Sequence, residues 1–112
     1  MTAHRGEVWL VDFGEPVGRE QSGRRPAVVV SADPLNESRA GVVILIPTTT
    51  TPRGLPSHIE IEPGTSGLDE LSYAKCEDVK SVSEQRLIAR LGVVPETVMF
   101  DITRALRFLL DI

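Results

Sequence analysis

The chain carries the apolar run Ala27-Val28-Val29-Val30-Ser31 and, a few residues later, the run Gly41-Val42-Val43-Ile44-Leu45-Ile46. Both runs are rich in β-branched residues and neither alternates apolar with polar residues, so each predicts a strand that is covered on both faces. Between them, Asp33-Pro34 indicates a turn or a single helical turn. If these strands are antiparallel neighbours, the segment before the first strand and the segment after the second meet at one edge of the sheet.

Weaker β patterns lie around these two strands, at residues 5–13, 58–62, 71–81 and 87–94, with turn signals between them. The end of the chain differs, because its apolar residues recur at spacings of three and four, which predicts an amphipathic helix introduced by Pro95. These apolar residues are Val98, Met99, Ile102, Ala105, Leu106, Leu109 and Leu110. The predicted fold class is therefore mainly β with a C-terminal helix: a small, strongly bent or barrel-like sheet in a single domain, residues 1–112.

The composition is typical of a soluble globular domain, with 112 residues of which 41% are hydrophobic and 25% charged. No apolar run is long enough to span a bilayer, and the first residues lack the apolar stretch of a signal peptide. We therefore expect a cytoplasmic protein without a membrane partner. The single cysteine, Cys76, excludes an intramolecular disulfide and is interpreted as a structural thiol. We interpret His58, in an alternating strand, as a surface-facing residue.

The net charge of −4 argues against binding of an extended duplex, because proteins that neutralise many phosphates are usually basic. A protein that holds a few single-stranded nucleotides needs only a local positive groove. The arginines are unevenly placed, since Arg19, Arg24 and Arg25 fall close together.

Two polar segments adjoin the ends of the buried strands. Residues 18–26 carry three arginines, and residues 47–56 carry four threonines and a further arginine. Guanidinium groups bind phosphate and hydroxyl groups orient it, so this edge suits a flexible anionic ligand. Metal-ligand spacings and phosphate-cradling glycine motifs are absent from the sequence, and we expect neither a metal nor a cofactor.

Three blocks of the chain resemble the MazF/PemK toxins, in the family's order and at similar spacing. They are Arg5-Gly6-Glu7-Val8-Trp9, then residues 18–31 with the pattern G-x-EQ-x-G-x-RP-x-V-x-V, then Pro47-Thr48-Thr49-Thr50. Residues 55–61 and 76–82 are similar to the family's later strands, so the resemblance spans nearly the whole chain. It implies an SH3-like β-barrel of the MazF/CcdB/PemK type, a homodimer, and a cognate antitoxin.

The resemblance also implies an activity: sequence-specific, metal-independent endoribonuclease cleavage of single-stranded RNA, leaving 2′,3′-cyclic phosphate and 5′-hydroxyl ends. The family's catalytic pair falls on Arg25 and Thr49, with Thr48 as an alternative because the run of four threonines permits a shift of one residue. Glu20 is the candidate base. The further candidates for substrate binding are Arg19, Glu20, Gln21, Arg24, Ser31, Thr50, Arg53, Asp78 and Lys80.

A second hypothesis comes from a different class of protein. CcdB-like toxins resemble the MazF toxins in fold but bind and poison a protein target such as DNA gyrase, so fold alone does not exclude this activity. The pairing of Arg25 with Thr49 favours the nuclease, because a gyrase poison has no need of it.

Overall fold

The computed structural model describes residues 2–15 and 23–112. In this part of the chain, short strands precede a long C-terminal helix, as predicted. The strands are β1 (Glu7–Asp12), β2 (Arg24–Val29), β3 (Val42–Thr49), β4 (His58–Ile61), β5 (Ser72–Lys75), β6 (Lys80–Ser83) and β7 (Leu87–Val93). The helices are α1 (Asp33–Asn36) and α2 (Glu96–Leu110), with 3-10 turns at Cys76–Asp78 and Glu84–Arg86. None of these helices is long and apolar enough to cross a membrane.

The strands pair in the order β4-β5-β3-β2-β1-β7, and β6 pairs with the first half of β3. All of these pairings are antiparallel. The prediction of a mainly β fold with a C-terminal helix is confirmed, as is the prediction that the two apolar runs form antiparallel neighbours, β2 and β3. The predicted barrel is not closed in the described residues, since β6 and β7 both lie at open edges of the sheet.

The two faces of the sheet are buried in separate apolar clusters, which is why β2 and β3 carry unbroken apolar runs. One cluster lies inside the bend of the sheet and includes Trp9, Val11 and Leu45. The other lies between the sheet and α2, and includes Ile46 and Ile102. Side chains alternate between the two faces along each strand, so parity assigns every strand residue to a face.

The sequence indicates one strand over residues 71–81, but the structure divides this segment into β5 and β6. Ala74 lies opposite Thr48, whereas Lys80, six residues later, lies opposite Leu45, only three residues back along β3. The three surplus residues form the 3-10 turn Cys76–Asp78. The prediction of an uninterrupted strand is therefore wrong, because the register on β3 shifts by three residues at this turn.

The turn at residues 63–67 lies in close backbone contact with β7. The backbone nitrogen of Val93 donates a hydrogen bond of 2.9 Å to the carbonyl oxygen of Thr65. A Cβ atom added to Gly92 would lie 2.2 Å from that same carbonyl oxygen, and one added to Gly67 would lie 2.1 Å from the carbonyl oxygen of Leu91. Both positions therefore require glycine, because backbone atoms occupy the space that any other side chain needs.

Candidate active site

The predicted catalytic arginine and threonine lie on neighbouring strands. The pairing of β2 with β3 ends with Ala27 opposite Pro47. Continued by two residues in the same register, it would set Arg25 opposite Thr49. Residues directly opposite each other project from the same face, with Cβ atoms roughly 4.5–5.5 Å apart. Arg25 and Thr49 therefore share one face at the open end of the β2–β3 pair.

Thr48 differs from Thr49 in both direction and surroundings. Thr48 is 4% exposed, on the face that packs towards α2, and its hydroxyl donates a hydrogen bond of 3.0 Å to the carbonyl oxygen of Pro26. Thr49 is half-buried, and its hydroxyl oxygen accepts a hydrogen bond of 3.2 Å from the backbone nitrogen of Thr51. Among the described residues, the Thr49 hydroxyl has no hydrogen-bond acceptor for its proton, whereas the Thr48 hydroxyl donates to β2 and connects the two strands.

Apolar packing anchors the backbone of Arg25 while its side chain remains exposed. Arg25 lies opposite Val11 of β1, which is fully buried. Arg24 precedes it at the start of β2 and is also exposed. Because neighbouring strand residues alternate in direction, the two arginines project from opposite faces. A rigid strand therefore presents a guanidinium group at the rim of the sheet.

Other predicted binding residues are distributed unevenly around this pair. Thr50 and Arg53 are exposed in the segment that follows β3, next to Thr49. The predicted binding residues Arg19, Glu20 and Gln21 lie outside the part of the chain that the structure describes.

Lys80 and Asp78 are further from the pair and already have partners. The Lys80 side chain lies over the ring of Phe13, with its ammonium nitrogen 5.3 Å from the ring centroid. Lys80 is opposite Leu45, on the same face as Arg25 but displaced along the strands. The carboxylate of Asp78 pairs with the ammonium group of Lys75 at 3.0 Å.

Ser31 is not brought to this site. It is buried beyond the far end of β2, where its hydroxyl donates to the side-chain oxygen of Asn36 and accepts a hydrogen bond of 3.0 Å from the backbone nitrogen of Ile44. These bonds connect β2, α1 and β3. The geometry gives Ser31 a structural role, in contrast to the predicted substrate contact.

The interpretation of His58 as a surface-facing residue is wrong, because its side chain is 2% exposed. Its Nε2 lies 2.7 Å from one carboxylate oxygen of Glu77, and the Ser57 hydroxyl donates to the other oxygen at 2.9 Å. Partial burial alone would raise the pKa of Glu77, but the hydrogen bonds from His58 and Ser57 outweigh burial and lower the pKa. The register shift at Cys76–Asp78 brings Glu77 to His58, which no sequence spacing reveals.

The structure adds one aromatic residue to the site. Tyr73 of β5 lies directly opposite Thr49 and is half-buried. Its position in an alternating strand was visible in the sequence. Its proximity to Thr49 depends on the pairing of β5 with the end of β3, which only the fold reveals.

Comparison with known proteins gives the family. A sequence model of the PemK-like, MazF-like toxins of type II toxin–antitoxin systems matches residues 4–110. Endoribonuclease MazF6 of Mycobacterium tuberculosis is 31% identical over 100% of both chains. Endoribonuclease EndoA of Bacillus subtilis is 30% identical over 96% of this chain and 93% of its own length. The chain therefore belongs to the PemK-like, MazF-like family of toxins.

Solved structures agree with this assignment. MazF from Deinococcus radiodurans superposes with a TM-score of 0.86 over 100% of this chain and 99% of that one, at 24% identity, which shows a shared fold. An endoribonuclease from a mycobacterial species, in complex with its cognate antitoxin, superposes with a TM-score of 0.82 at 25% identity over 98% of this chain and 96% of that one. The prediction of a MazF/PemK toxin is confirmed, and the relatives support an endoribonuclease over a protein-directed poison.

Proposed function

We propose that this chain is a sequence-specific, metal-independent endoribonuclease that cleaves single-stranded RNA, with Arg25 and Thr49 as its catalytic residues. Endoribonuclease activity follows from the family and from relatives named endoribonuclease that match this chain over nearly its whole length. What supports the two residues is the register of β2 on β3, which, continued two residues beyond Ala27 and Pro47, sets them opposite each other on one face. Each residue has the chemistry that a phosphodiester requires: a fixed positive charge and a hydroxyl donor.

RNA supplies the nucleophile for this reaction. The neighbouring 2′-oxygen attacks phosphorus, the O2′–P bond forms, and the P–O5′ bond breaks, which leaves a 2′,3′-cyclic phosphate and a 5′-hydroxyl. The proton of the 2′-hydroxyl passes to a base, for which Glu20 is the candidate, and the departing 5′-oxygen takes up a proton. The protein must hold the chain in line and stabilise the additional negative charge on the phosphate oxygens. DNA lacks the 2′-hydroxyl and is therefore not a substrate.

Within this reaction Arg25 acts mainly through its charge. A guanidinium group stays protonated at any physiological pH, so it donates hydrogen bonds to the phosphate oxygens and is a poor proton donor to the 5′-oxygen. The Thr49 hydroxyl, with its proton available, orients a phosphate oxygen beside it. Thr48 supports the site indirectly, through its hydrogen bond to the Pro26 carbonyl oxygen.

The test is incubation of the purified protein with a long single-stranded RNA in EDTA, followed by primer extension. We expect discrete cuts at one short motif. Arg25→Ala and Thr49→Ala should each reduce the rate by roughly 100- to 1000-fold, the usual effect of removing one charge-stabilising donor. Arg39→Ala, which removes an exposed arginine elsewhere, is the matched control and should cleave normally.

Thr48→Ala separates the two threonines. It should reduce unfolding stability by about 1 kcal/mol, because one hydrogen bond between strands is lost, while the folded protein keeps most of its activity. Full activity of Thr49→Ala together with an inactive, folded Thr48→Ala would reverse the assignment. Absence of cleavage by the wild-type protein on long RNAs of varied sequence would contradict the proposed function itself.

We also propose a homodimer that is neutralised by a cognate antitoxin. The end of α2 leaves large apolar side chains in solvent, with Phe108 85% exposed and Leu110 53% exposed. Exposed apolar side chains that lie this close together in the chain are typical of an interface. Sedimentation equilibrium should give a dimer at micromolar concentration, and Phe108→Asp should shift it to monomer, whereas Glu96→Gln at the other end of α2 should not.

The expected antitoxin segment is flexible, acidic and apolar, and lies across the RNA groove. Solved relatives from Deinococcus radiodurans and a mycobacterial species, in complexes with antitoxins, support this partner class. The proposed substrate is single-stranded RNA, so we expect the protein to act in the cytoplasm.

A further inference from the structure

The strand pairing places four polar or aromatic side chains in one row across the sheet. Tyr73 of β5 lies opposite Thr49 of β3, and on its other side Tyr73 lies opposite Glu60 of β4. The register of β2 on β3, continued two residues past Ala27 and Pro47, adds Arg25 to the row beyond Thr49. Neighbouring strands are about 4.8 Å apart, so Tyr73 is one strand from Thr49 and roughly 10 Å from Arg25. All four side chains share one face, because directly opposite residues do.

Tyr73 is the aromatic residue on this row that a ligand can reach. It is half-buried, so part of the residue remains accessible beside Thr49. Trp9 and Phe13, the other described aromatic residues of the sheet and its loops, are buried in the interior cluster. The Tyr73 hydroxyl makes no hydrogen bond to another described residue, so a base that stacks on this residue would have none to break.

Charge along the row sets the direction of a bound nucleotide. Arg25 carries a positive charge at one end, and Glu60 is an exposed carboxylate at the other. A phosphate is attracted to Arg25 and repelled by Glu60, so the RNA backbone lies over the Arg25–Thr49 half of the row. The base next to the bound phosphate is then directed over Tyr73, towards Glu60.

We propose that Tyr73 is a specificity-determining residue that stacks on a base flanking the cleaved phosphodiester, and that Glu60 accepts a hydrogen bond from the exocyclic amino group of that base. Sequence-specific reading of single-stranded RNA commonly combines stacking on an aromatic ring with hydrogen bonds to the base edge. A carboxylate accepts from the amino groups of cytosine, adenine or guanine but finds no such donor on uracil. This inference rests on the proposed function and names the subsite that adjoins its catalytic pair.

The stacking is tested by binding, with an RNA that carries the cleaved motif and a 2′-deoxy substitution that prevents cleavage. Each base flanking the phosphodiester is replaced in turn by an abasic site. For the wild-type protein, one replacement should weaken binding roughly 10-fold, the size of one base–aromatic stack. The same replacement should have no further effect on Tyr73→Ala, because the partner of the base is already gone. Tyr73→Phe keeps the ring and should behave as wild type.

Kinetics and sequence preference give a second readout. Tyr73→Ala should raise KM by about 10-fold with kcat changed less than 3-fold, since stacking binds substrate and transition state alike. Glu60→Gln should admit uracil at the flanking position, measured by sequencing the ends cut from a randomised RNA pool. Leu71→Ala, which truncates an exposed residue just before β5, is the matched control and should change neither quantity.

Failure of this inference is distinguishable from failure of the proposed function. If the wild-type protein cleaves RNA and Arg25→Ala does not, but abasic sites weaken binding to Tyr73→Ala as much as to wild type, then Tyr73 is not the stacking residue. If Glu60→Gln folds and still selects the same base next to the cleaved phosphodiester, Glu60 does not recognise that base. Should Tyr73→Ala not fold, Tyr73→Leu replaces it in the abasic scan, because leucine keeps apolar bulk at this position but removes the aromatic face on which a base stacks.

Discussion

Replacement of Glu7 by glutamine tests the buried polar network that supports the start of β1. Glu7 is 8% exposed. One carboxylate oxygen accepts hydrogen bonds from the indole nitrogen of Trp9 at 3.0 Å and from the backbone nitrogen of His4 at 2.7 Å. The other oxygen pairs with Nε of Arg90 on β7 at 2.6 Å. Through these hydrogen bonds, the carboxylate of Glu7 connects β1, β7 and the N-terminal segment.

The expected loss of stability depends on which hydrogen bonds a glutamine at position 7 still makes. Its amide oxygen still accepts from Trp9 and His4, but its amide nitrogen faces Nε of Arg90, so two donors meet where a charged pair stood. A hydrogen bond between charged groups contributes about 1.5–3 kcal/mol. We therefore expect Glu7→Gln to lower the free energy of unfolding by about 2–3 kcal/mol. At roughly 4 °C for each kcal/mol in a chain of this size, the Tm falls by about 10 °C.

The measurement is urea and thermal unfolding at one fixed protomer concentration, since dimerisation would otherwise shift the apparent stability. Glu62→Gln, the same substitution at an exposed position after β4, is the control and should stay within about 0.5 kcal/mol of wild type. Equal stability of the two variants would refute the reasoning, because it would show that the network around Glu7 contributes no more than a solvated carboxylate.

The pH dependence gives an independent check of the same network. Burial alone would raise the pKa of Glu7, but the hydrogen bonds from Trp9, His4 and Arg90 and the charge of Arg90 outweigh it and lower the pKa below 4.5. A lowered pKa means that Glu7 stabilises the fold above pH 4.5, and that this stability is lost as the pH falls through the folded-state pKa. The difference between wild type and Glu7→Gln should therefore be full at neutral pH and narrow below pH 4.5.

Three further substitutions or reactions test other features of the structure. Gly92→Ala should lower the free energy of unfolding by at least about 1–3 kcal/mol, because its Cβ atom would lie 2.2 Å from the carbonyl oxygen of Thr65. A smaller loss in chemical unfolding would mean that the turn at residues 63–67 moves freely away from β7. Burial, with the charge of Glu77, raises the pKa of Cys76 to about 12, so a thiol reagent at pH 8 should react only as fast as the protein unfolds. Ser31→Ala should lower the free energy of unfolding by about 1–3 kcal/mol, because the buried partners of its hydroxyl lose a hydrogen bond, and the KM for RNA should not change. A raised KM in the folded variant would show that Ser31 contacts the substrate after all.

The fold class could be predicted from the sequence alone. This prediction rested on the apolar runs of β2 and β3 and on the amphipathic pattern of α2. An unbroken β-branched run must be covered on both faces, and apolar residues three and four apart must form one stripe of a helix, whatever lies around them. The same local logic placed Arg25 and the threonines at one edge, because two antiparallel neighbours bring the start of one strand to the end of the next. The family blocks added the activity, since they match the pattern of the known toxins.

Only the tertiary structure decided which groups lie together on one face. Thr48 and Thr49 are indistinguishable in sequence, but strand parity directs one into the packing against α2 and the other beside Arg25. The register shift of three residues at Cys76–Asp78 brings Glu77 to His58, and the pairing of β5 with the end of β3 brings Tyr73 to Thr49. Register depends on hydrogen bonds between segments far apart in the chain, and moving a strand by one residue exchanges its two faces. Local sequence patterns therefore predicted most of the strands and the helix of this protein, while pairing between distant strands determined which side chains meet at the candidate site.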